Sequence, residues 1–310
     1  MNNANVYFSP IQDNAVETIA TQAKDLLVHF LTTESVLLTQ KLPIKVHSGE
    51  PGNDTFIKPA YFDAVIDYLE SKHIAPYFIE TNTSYGGPRA TTASHLTVAK
   101  NHGFTRIPFV IGDVDGFGHT EVSVPGKHFK TAKIASKLAD QEQVLVMTHF
   151  KGHVMAGFGG AIKMLGIGFA SARGKSELHG AQQIPDGKQL DWSHWQKEDG
   201  SFNPDVVHSG QTFYERLTEY AYAASHGKRH IYMTFAMNIT ADCDCDGKHM
   251  EPVYPNLGIF ISSDPVAIDT AVVDMLAKRE GKTPFEGTSV LDYAEQLGMG
   301  TKKYVLKTLK

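Results

Sequence analysis

Two cysteines stand one residue apart in the segment ADCDCDGKH, and they are the only cysteines of the chain. Residues two apart in an extended segment point to the same side, so Cys243 and Cys245 can direct both sulfurs at one ion. Thiolates are soft ligands that suit zinc, copper(I) or iron. Three interleaved aspartates make this a poor core segment, which argues against two inert buried thiols. The pattern therefore predicts a metal site at Cys243 and Cys245.

Four histidines are available to complete such a site. His149 and His153 flank a turn in THFKGH, His179 ends SARGKSELH, and His249 follows the cysteines. Two thiolates with two imidazoles would form a closed tetrahedral zinc site, whereas fewer protein ligands would leave a position open for catalysis. A cubane iron–sulfur cluster usually takes four thiolates, and two cysteines cannot supply them. The expected cofactor is therefore a single metal ion.

A glycine-rich stretch, GHVMAGFGGAIK, follows the apolar strand predicted over residues 143–148. Open α/β sheets bind their ligands outside the carboxyl ends of the strands. Gly157, Gly159 and Gly160 would let backbone approach a ligand closely. Lys163 lies at the predicted start of a helix, where free N–H groups attract anions. The stretch lacks the Gly-Lys-Ser/Thr ending of a P-loop, so a tight strand-to-helix crossover remains an alternative.

The segment ETNTSYGGPR also follows a predicted strand. Thr83 offers a hydroxyl, and Arg89 is a planar cation suited to a carboxylate or a phosphate. The alternative is local structure, with a Gly-Gly-Pro turn leading into a capped helix, and both interpretations can hold together. We therefore expect a small-molecule ligand that is anionic.

The elements that must position these residues alternate along the chain. Strands are predicted over residues 6–8, 44–47, 76–80, 107–111, 143–148, 230–240 and 257–262, and helices over 15–30, 59–72, 91–102, 131–138, 161–165, 213–225, 264–279 and 289–297. This alternation predicts a layered α/β fold with a mostly parallel sheet flanked by helices. Residues 1–310 form either a single α/β unit or two lobes divided near residue 140.

Three connecting segments lie outside this alternation. Residues 120–129 indicate a polar hairpin, residues 171–180 a solvated loop, and residues 180–210 a surface excursion that contains Trp192 and Trp195. A long excursion of this kind is usually functional or disordered.

The whole-chain properties narrow the class of protein. With 310 residues and a formal net charge of -5, the chain has no electrostatic footprint for nucleic acid. No apolar run approaches the length that spans a bilayer, so no membrane association is expected. The absence of a secretory signal and of a disulfide framework predicts a cytoplasmic location. Assembly into a homo-oligomer remains open.

Several of these segments together resemble one family. THFKGH, AGFGGAIKMLGIG, SARGK, CDC and GIFISSDPVAID occur in that order in proteins called uncharacterised iron–sulfur-centre proteins, which share domain of unknown function 362. The resemblance covers roughly residues 45–274. Many members carry a ferredoxin-like insert with repeated Cys-x-x-Cys spacing, but the matching interval here, residues 180–219, contains no cysteine.

The stretch HVMAGFGGAIK is also distantly similar to the nickel-pincer lactate racemase family. That resemblance implies a proton-transfer base at His153, an anchor for the pincer nucleotide at Lys163, a metal ligand at His179, and a phosphate or carboxylate contact at Arg89. The leading expectation is a metal-dependent enzyme of redox or isomerase type, with zinc, iron or nickel. The alternatives are a non-catalytic metalloprotein, with structural zinc or descended from an electron-transfer protein, and a phosphate-binding protein without metal.

Overall fold

The computed structural model describes residues 3–11, 13–185 and 188–309. Its strands in chain order are β1 (Ala4–Pro10), β2 (Lys41–Lys45), β3 (Ala75–Glu80), β4 (Phe109–Ile111), β5 (His119–Ser123), β6 (Thr131–Ala135), β7 (Leu145–His149), β8 (Lys151–His153), β9 (Gly157–Gly159), β10 (Ile231–Ala236), β11 (Ile239–Thr240), β12 (Pro252–Tyr254), β13 (Gly258–Ser262) and β14 (Tyr304–Thr308). Its α-helices are α1 (Val16–Thr33), α2 (Asp63–Ser71), α3 (Thr92–Asn101), α4 (Ser136–Ala139), α5 (Ala161–Gly166), α6 (Ala172–His179), α7 (Gly210–Ser225), α8 (Pro265–Glu280) and α9 (Ser289–Gln296).

One eight-stranded sheet organises the fold, in the order β14-β1-β13-β10-β7-β2-β3-β4. β13 runs antiparallel to both of its neighbours, and the other adjacent pairs are parallel. The predicted α/β class with a mostly parallel sheet is therefore confirmed. Because β2, β3, β7 and β10 are mutually parallel, their carboxyl ends meet at one edge, where an open sheet binds ligands.

Apolar layers cover both faces of this sheet. Helices α1 and α2 pack over one face, in a core that includes Leu26, Phe62 and Phe78, while α5, α7 and α8 build the core of the other, around Leu165 and Phe260. The central strands β7, β10 and β13 are buried along their whole length, which explains their near-continuous apolar sequence. This is the layered arrangement that the sequence predicts.

Two predicted elements are wrong in type or extent. Residues 131–138 form β6 and the short α4 instead of one helix, because Ala132 and Ile134 alternate inward at the two-residue period of a strand. β6 pairs with β5, so the predicted hairpin is confirmed. The strand predicted over 230–240 ends at Ala236, since Asn238 adopts a φ of 48°, and β11 then pairs with β12 in a separate ribbon.

Two other segments form regular secondary structure that the sequence pattern did not predict. Residues 171–180 are not a solvated loop: they contain α6, which begins where Ser171 Oγ accepts a hydrogen bond from Gly174 N at 3.0 Å. The chain also continues past α9 into β14, which adds a parallel edge strand beside β1. Within the described part of the chain, no helix has both the length and the apolar character required to cross a membrane.

Candidate metal and anion site

A cavity of about 660 Å³ opens at the carboxyl ends of the parallel strands. Lys45 ends β2, Glu80 ends β3 and Thr148 lies next to the end of β7, and all three line it. Trp192 closes one side by donating a hydrogen bond from Nε1 to Ser84 O at 3.0 Å. The excursion therefore contributes a wall of the cavity through Trp192, Trp195 and Gln196.

The two cysteines meet a histidine in this cavity. One ligand atom each from His153, Cys243 and Cys245 lie within 4.8 Å of one another. His153 is positioned by the ribbon of β8 and β9, and its Nδ1 accepts hydrogen bonds from Met155 N at 3.1 Å and Ala156 N at 3.0 Å. Because Nδ1 is engaged, Nε2 is the ring nitrogen that remains for the two sulfurs.

The pKa values of the two thiols are shifted in opposite directions. A hydrogen bond from Cys245, followed by the charge of Lys163, holds the pKa of Cys243 well below its usual range, although burial opposes this. The same hydrogen bond and burial raise the pKa of Cys245. Lys163 Nζ lies 3.4 Å from Cys243 Sγ. The lowered pKa favours the thiolate of Cys243, the form in which cysteine binds metals.

Asp244 anchors the loop that carries both cysteines. Its side chain is fully buried and accepts hydrogen bonds from His149 Nδ1 at 2.9 Å and from Lys151 Nζ at 2.9 Å. His149 Nε2 donates to Met237 O at 2.8 Å, so both of its ring nitrogens are used within the protein. The structure thus places His149 behind the cysteine loop, where it orients Asp244, and does not bring it into the cluster of three.

The other two candidate histidines also lie outside that cluster. His179 ends α6 and lines the cavity, with Nδ1 donating to Lys175 O at 2.6 Å and Nε2 left without a described partner. Burial lowers the pKa of His179 to about 3, so the ring is neutral. His249 is exposed and bonds to Asp54 and Glu251.

The glycines of the stretch after β8 are required by contacts with the protein itself. A Cβ on Gly160 would lie 2.4 Å from Asp269 Oδ1, and one on Gly157, whose φ is +76°, would lie 2.1 Å from Glu286 O. Gly159 and Gly160 also line the cavity, whereas Gly157 does not. Close packing of the chain against itself therefore accounts for Gly157 and Gly160, and only Gly159 and Gly160 can face a ligand.

The start of α5 is not free to bind an anion. Asp269, from the second turn of α8, accepts the N–H of Ala161 at 2.7 Å and the N–H of Ile162 at 2.9 Å. These are the donors that the sequence pattern offered to a ligand, so the expectation of free N–H groups there is wrong. Lys163, in the first turn of the same helix, reaches the cavity through its side chain.

Arg89 and Thr83 line the cavity but are engaged by the protein. The Arg89 guanidinium contacts Glu50 through Nε at 2.8 Å and through Nη2 at 2.7 Å, and its Nη1 lies 3.6 Å from Glu80. Thr83 Oγ1 donates to Tyr85 O at 3.1 Å. Two carboxylates therefore neutralise Arg89, which leaves it less available to an incoming anion.

Two buried lysines face the cavity, of which the sequence pattern missed Lys45 and placed Lys175 in a solvated loop. Burial lowers the pKa of Lys45 to about 7 and that of Lys175 to about 8. The sequence did contain a signal for the burial of Lys45, because the ammonium group of a lysine at the end of a strand that leads into a buried turn has little access to solvent. The solvated loop predicted for Lys175 is wrong, since its burial depends on α6 packing against the sheet.

The fold and site define an α/β protein whose cysteine–histidine cluster lies in a basic cavity at the carboxyl edge of the sheet. By sequence the chain belongs to the family described as Domain of unknown function (DUF362), whose model matches residues 43–274. The family prediction is therefore confirmed. No curated protein matches the chain.

Two solved structures align with much of the chain but are distant from it in sequence. The lactate racemase apoprotein from Thermoanaerobacterium thermosaccharolyticum aligns with a TM-score of 0.42 and 12% identity, covering 76% of this chain and 51% of that one. A Thermotoga maritima protein determined by the Northeast Structural Genomics Consortium aligns with a TM-score of 0.48 and 11% identity, covering 87% and 60%. The chain thus spans less than two thirds of the length of either protein.

Proposed function

We propose that this protein is a metal-dependent enzyme that holds one metal ion with His153, Cys243 and Cys245 and acts on an anionic small molecule. The observation that carries the proposal is the convergence of these three ligand atoms within 4.8 Å in a cavity of about 660 Å³. Three protein ligands leave a position of a four-coordinate ion for water or substrate, which is the arrangement of catalytic rather than structural sites.

The donor set selects among metal centres. One imidazole nitrogen and two sulfurs suit zinc, iron or nickel. A four-iron cluster does not fit, because the chain has only two cysteines and such a cluster takes four thiolates. The ion would supply Lewis-acid or redox chemistry, in keeping with an isomerase or an oxidoreductase.

The geometry redistributes the roles that the sequence suggested. We assign His153 to the metal because its remaining nitrogen faces the two sulfurs, and Lys163 to charge balance because its Nζ lies 3.4 Å from Cys243 Sγ. His179 is then a neutral histidine that lines the cavity beside the ion. Its Nε2 can accept a hydrogen bond from a bound molecule or bind the open position of the ion.

Metal content tests this proposal directly. Protein purified without a histidine tag is measured by elemental analysis beside the Cys243→Ser/Cys245→Ser variant, with Lys248→Met as a control on the exposed part of the same loop. About one zinc, iron or nickel per chain, lost in the double variant and kept in the control, is the expected result. Absence of any bound metal after reconstitution with each of the three ions would refute the proposal.

A second measurement separates an enzyme from a closed metalloprotein. Cobalt(II) is loaded into the site, and its visible spectrum is recorded while azide is added. An open position predicts a change in the ligand-field bands at millimolar azide. A spectrum that does not respond would show that a fourth protein ligand closes the site, and would favour a structural role for the metal.

A further inference from the structure

Lys45 and Lys175 are buried in the cavity without a carboxylate partner. Their side chains are 1% and 7% exposed. Lys45 Nζ donates to Val46 O at 2.6 Å, and Lys175 Nζ donates to Thr81 Oγ1 and Asn82 O. All these acceptors are uncharged. Among the described residues, no carboxylate oxygen lies within salt-bridge distance of either ammonium group.

The carboxylates nearest to these lysines are engaged elsewhere. Glu80 contacts His95 Nε2, accepts from Ser48 Oγ at 2.8 Å and lies 3.6 Å from Arg89 Nη1. Asp113 accepts the backbone N–H of Asn82 at 2.8 Å and that of Ala172 at 2.7 Å. These carboxylates attract the two lysines from a distance but do not pair with them.

An ammonium group buried without a counter-ion is costly, and it either loses its proton or acquires an anion. The charges that face Lys45 are Glu80, which favours its protonation, and Lys175, Lys163 and Arg89, which oppose it. An anion entering the cavity would therefore be held by two ammonium groups that approach from different elements, β2 and α6.

We propose that Lys45 and Lys175 form a subsite for a doubly charged, phosphate-type group of the small molecule that occupies the cavity. Two ammonium groups match the charge of a phosphate monoester dianion better than that of a single carboxylate. The inference rests on the proposed function for the cavity as the ligand site, but it does not require a metal at the cysteines.

Binding of a dianion should change the protonation of Lys45. With a pKa of about 7, Lys45 is mostly neutral at pH 8 and mostly charged at pH 6. A bound dianion favours the charged form, so binding at the higher pH draws a proton from solution. Sulfate is a suitable probe because it remains a dianion at both pH values and cannot supply that proton.

Titration calorimetry with sodium sulfate, in two buffers that differ in ionisation enthalpy, measures this proton uptake. At pH about 8 the Lys45→Met variant should take up about 0.9 fewer protons than the unaltered protein, and about 0.1 fewer at pH about 6. Its affinity for sulfate should fall about tenfold to a hundredfold, the usual cost of removing a charged hydrogen bond. Lys175→Met should weaken binding similarly, and Lys278→Met, at an exposed position outside the cavity, should not.

The variant Lys45→Arg separates loss of charge from loss of fold. It keeps a permanent cation, so sulfate binding should persist while the uptake assigned to Lys45 disappears. Sulfate affinity that is unchanged in both Lys45→Met and Lys175→Met, or no sulfate binding by the unaltered protein, would overturn the proposal. Sulfate binding that survives in chelator-treated, metal-free protein would support the subsite even if the metal proposal fails.

Discussion

Asp244→Asn should be among the most destabilising single substitutions near the cavity, although Asn has almost the same shape. The Asp244 side chain is fully buried and pairs with His149 Nδ1 at 2.9 Å and with Lys151 Nζ at 2.9 Å. Lys151 is 2% exposed, so the substitution leaves a buried ammonium without its counter-ion. Breaking a buried pair by removing one partner costs about 3–5 kcal/mol, and we expect a loss in that range.

Asp246→Asn is the matched control, because it makes the same chemical change two residues away in the same loop. Asp246 pairs with Lys248 at 2.7 Å, but their side chains are 41% and 60% exposed. An exposed ion pair contributes about 0–1 kcal/mol. Both variants are unfolded with urea in the presence of a chelator and a reductant, so that neither metal nor disulfide contributes to the free energy of unfolding.

The double variant Asp244→Asn/Lys151→Met tests the cause of the loss. If the unpaired ammonium dominates, removing it should restore part of the lost free energy, so the two substitutions should be strongly non-additive. A cost of less than about 1 kcal/mol for Asp244→Asn, or additive costs in the double variant, would contradict the reasoning.

The pH dependence of the same difference has a definite sign. His149 and Lys151 hold the pKa of Asp244 well below its usual range, although burial opposes them. A carboxylate whose pKa is depressed in the folded state stabilises the protein above the unfolded-state pKa of about 4 and loses that contribution as the pH falls further. The stability difference between the unaltered protein and Asp244→Asn should therefore be full at pH 7 and shrink below pH 4.

Three further predictions concern the same region. Gly152→Ala should lower the free energy of unfolding in urea by more than about 2 kcal/mol, because the added Cβ would lie 1.9 Å from Ala241 O. Gly86→Ala is the control: its Cβ would meet nothing within 4 Å, so it should change the free energy of unfolding by less than about 1 kcal/mol. Asp269→Ala should cost about 2 kcal/mol and Asp269→Asn less, since the two N–H groups at the start of α5 lose both acceptors in the first variant and only one in the second; equal costs would contradict this. Zinc affinity, measured by competition with a chelator, should rise with pH because Cys245 must lose its proton to bind, and an affinity independent of pH would exclude that thiol as a ligand.

The sequence alone determined the class of fold, and it predicted which residues are candidate metal ligands. Apolar strands that alternate with amphipathic helices specify a sheet covered by helices, because each helix buries its apolar face against the apolar faces of the strands. The spacing of Cys243 and Cys245 places both sulfurs on one side of an extended segment, which is a local property. The segments that resemble the family follow predicted strands, and the loops that follow parallel strands all lie at the carboxyl edge of the sheet.

The tertiary structure decided which of those residues act together. His153 joins the cysteines while His149 turns behind them to Asp244, although the two histidines are only four residues apart, because a residue's partners depend on elements distant in sequence. The same holds for Asp269, a residue of α8 whose carboxylate accepts hydrogen bonds from the backbone N–H groups at the start of α5. The burial of Lys45 and Lys175 likewise depends on the packing of the layers. Packing removes the water that would otherwise solvate their ammonium groups, and this loss of solvation makes their charge costly.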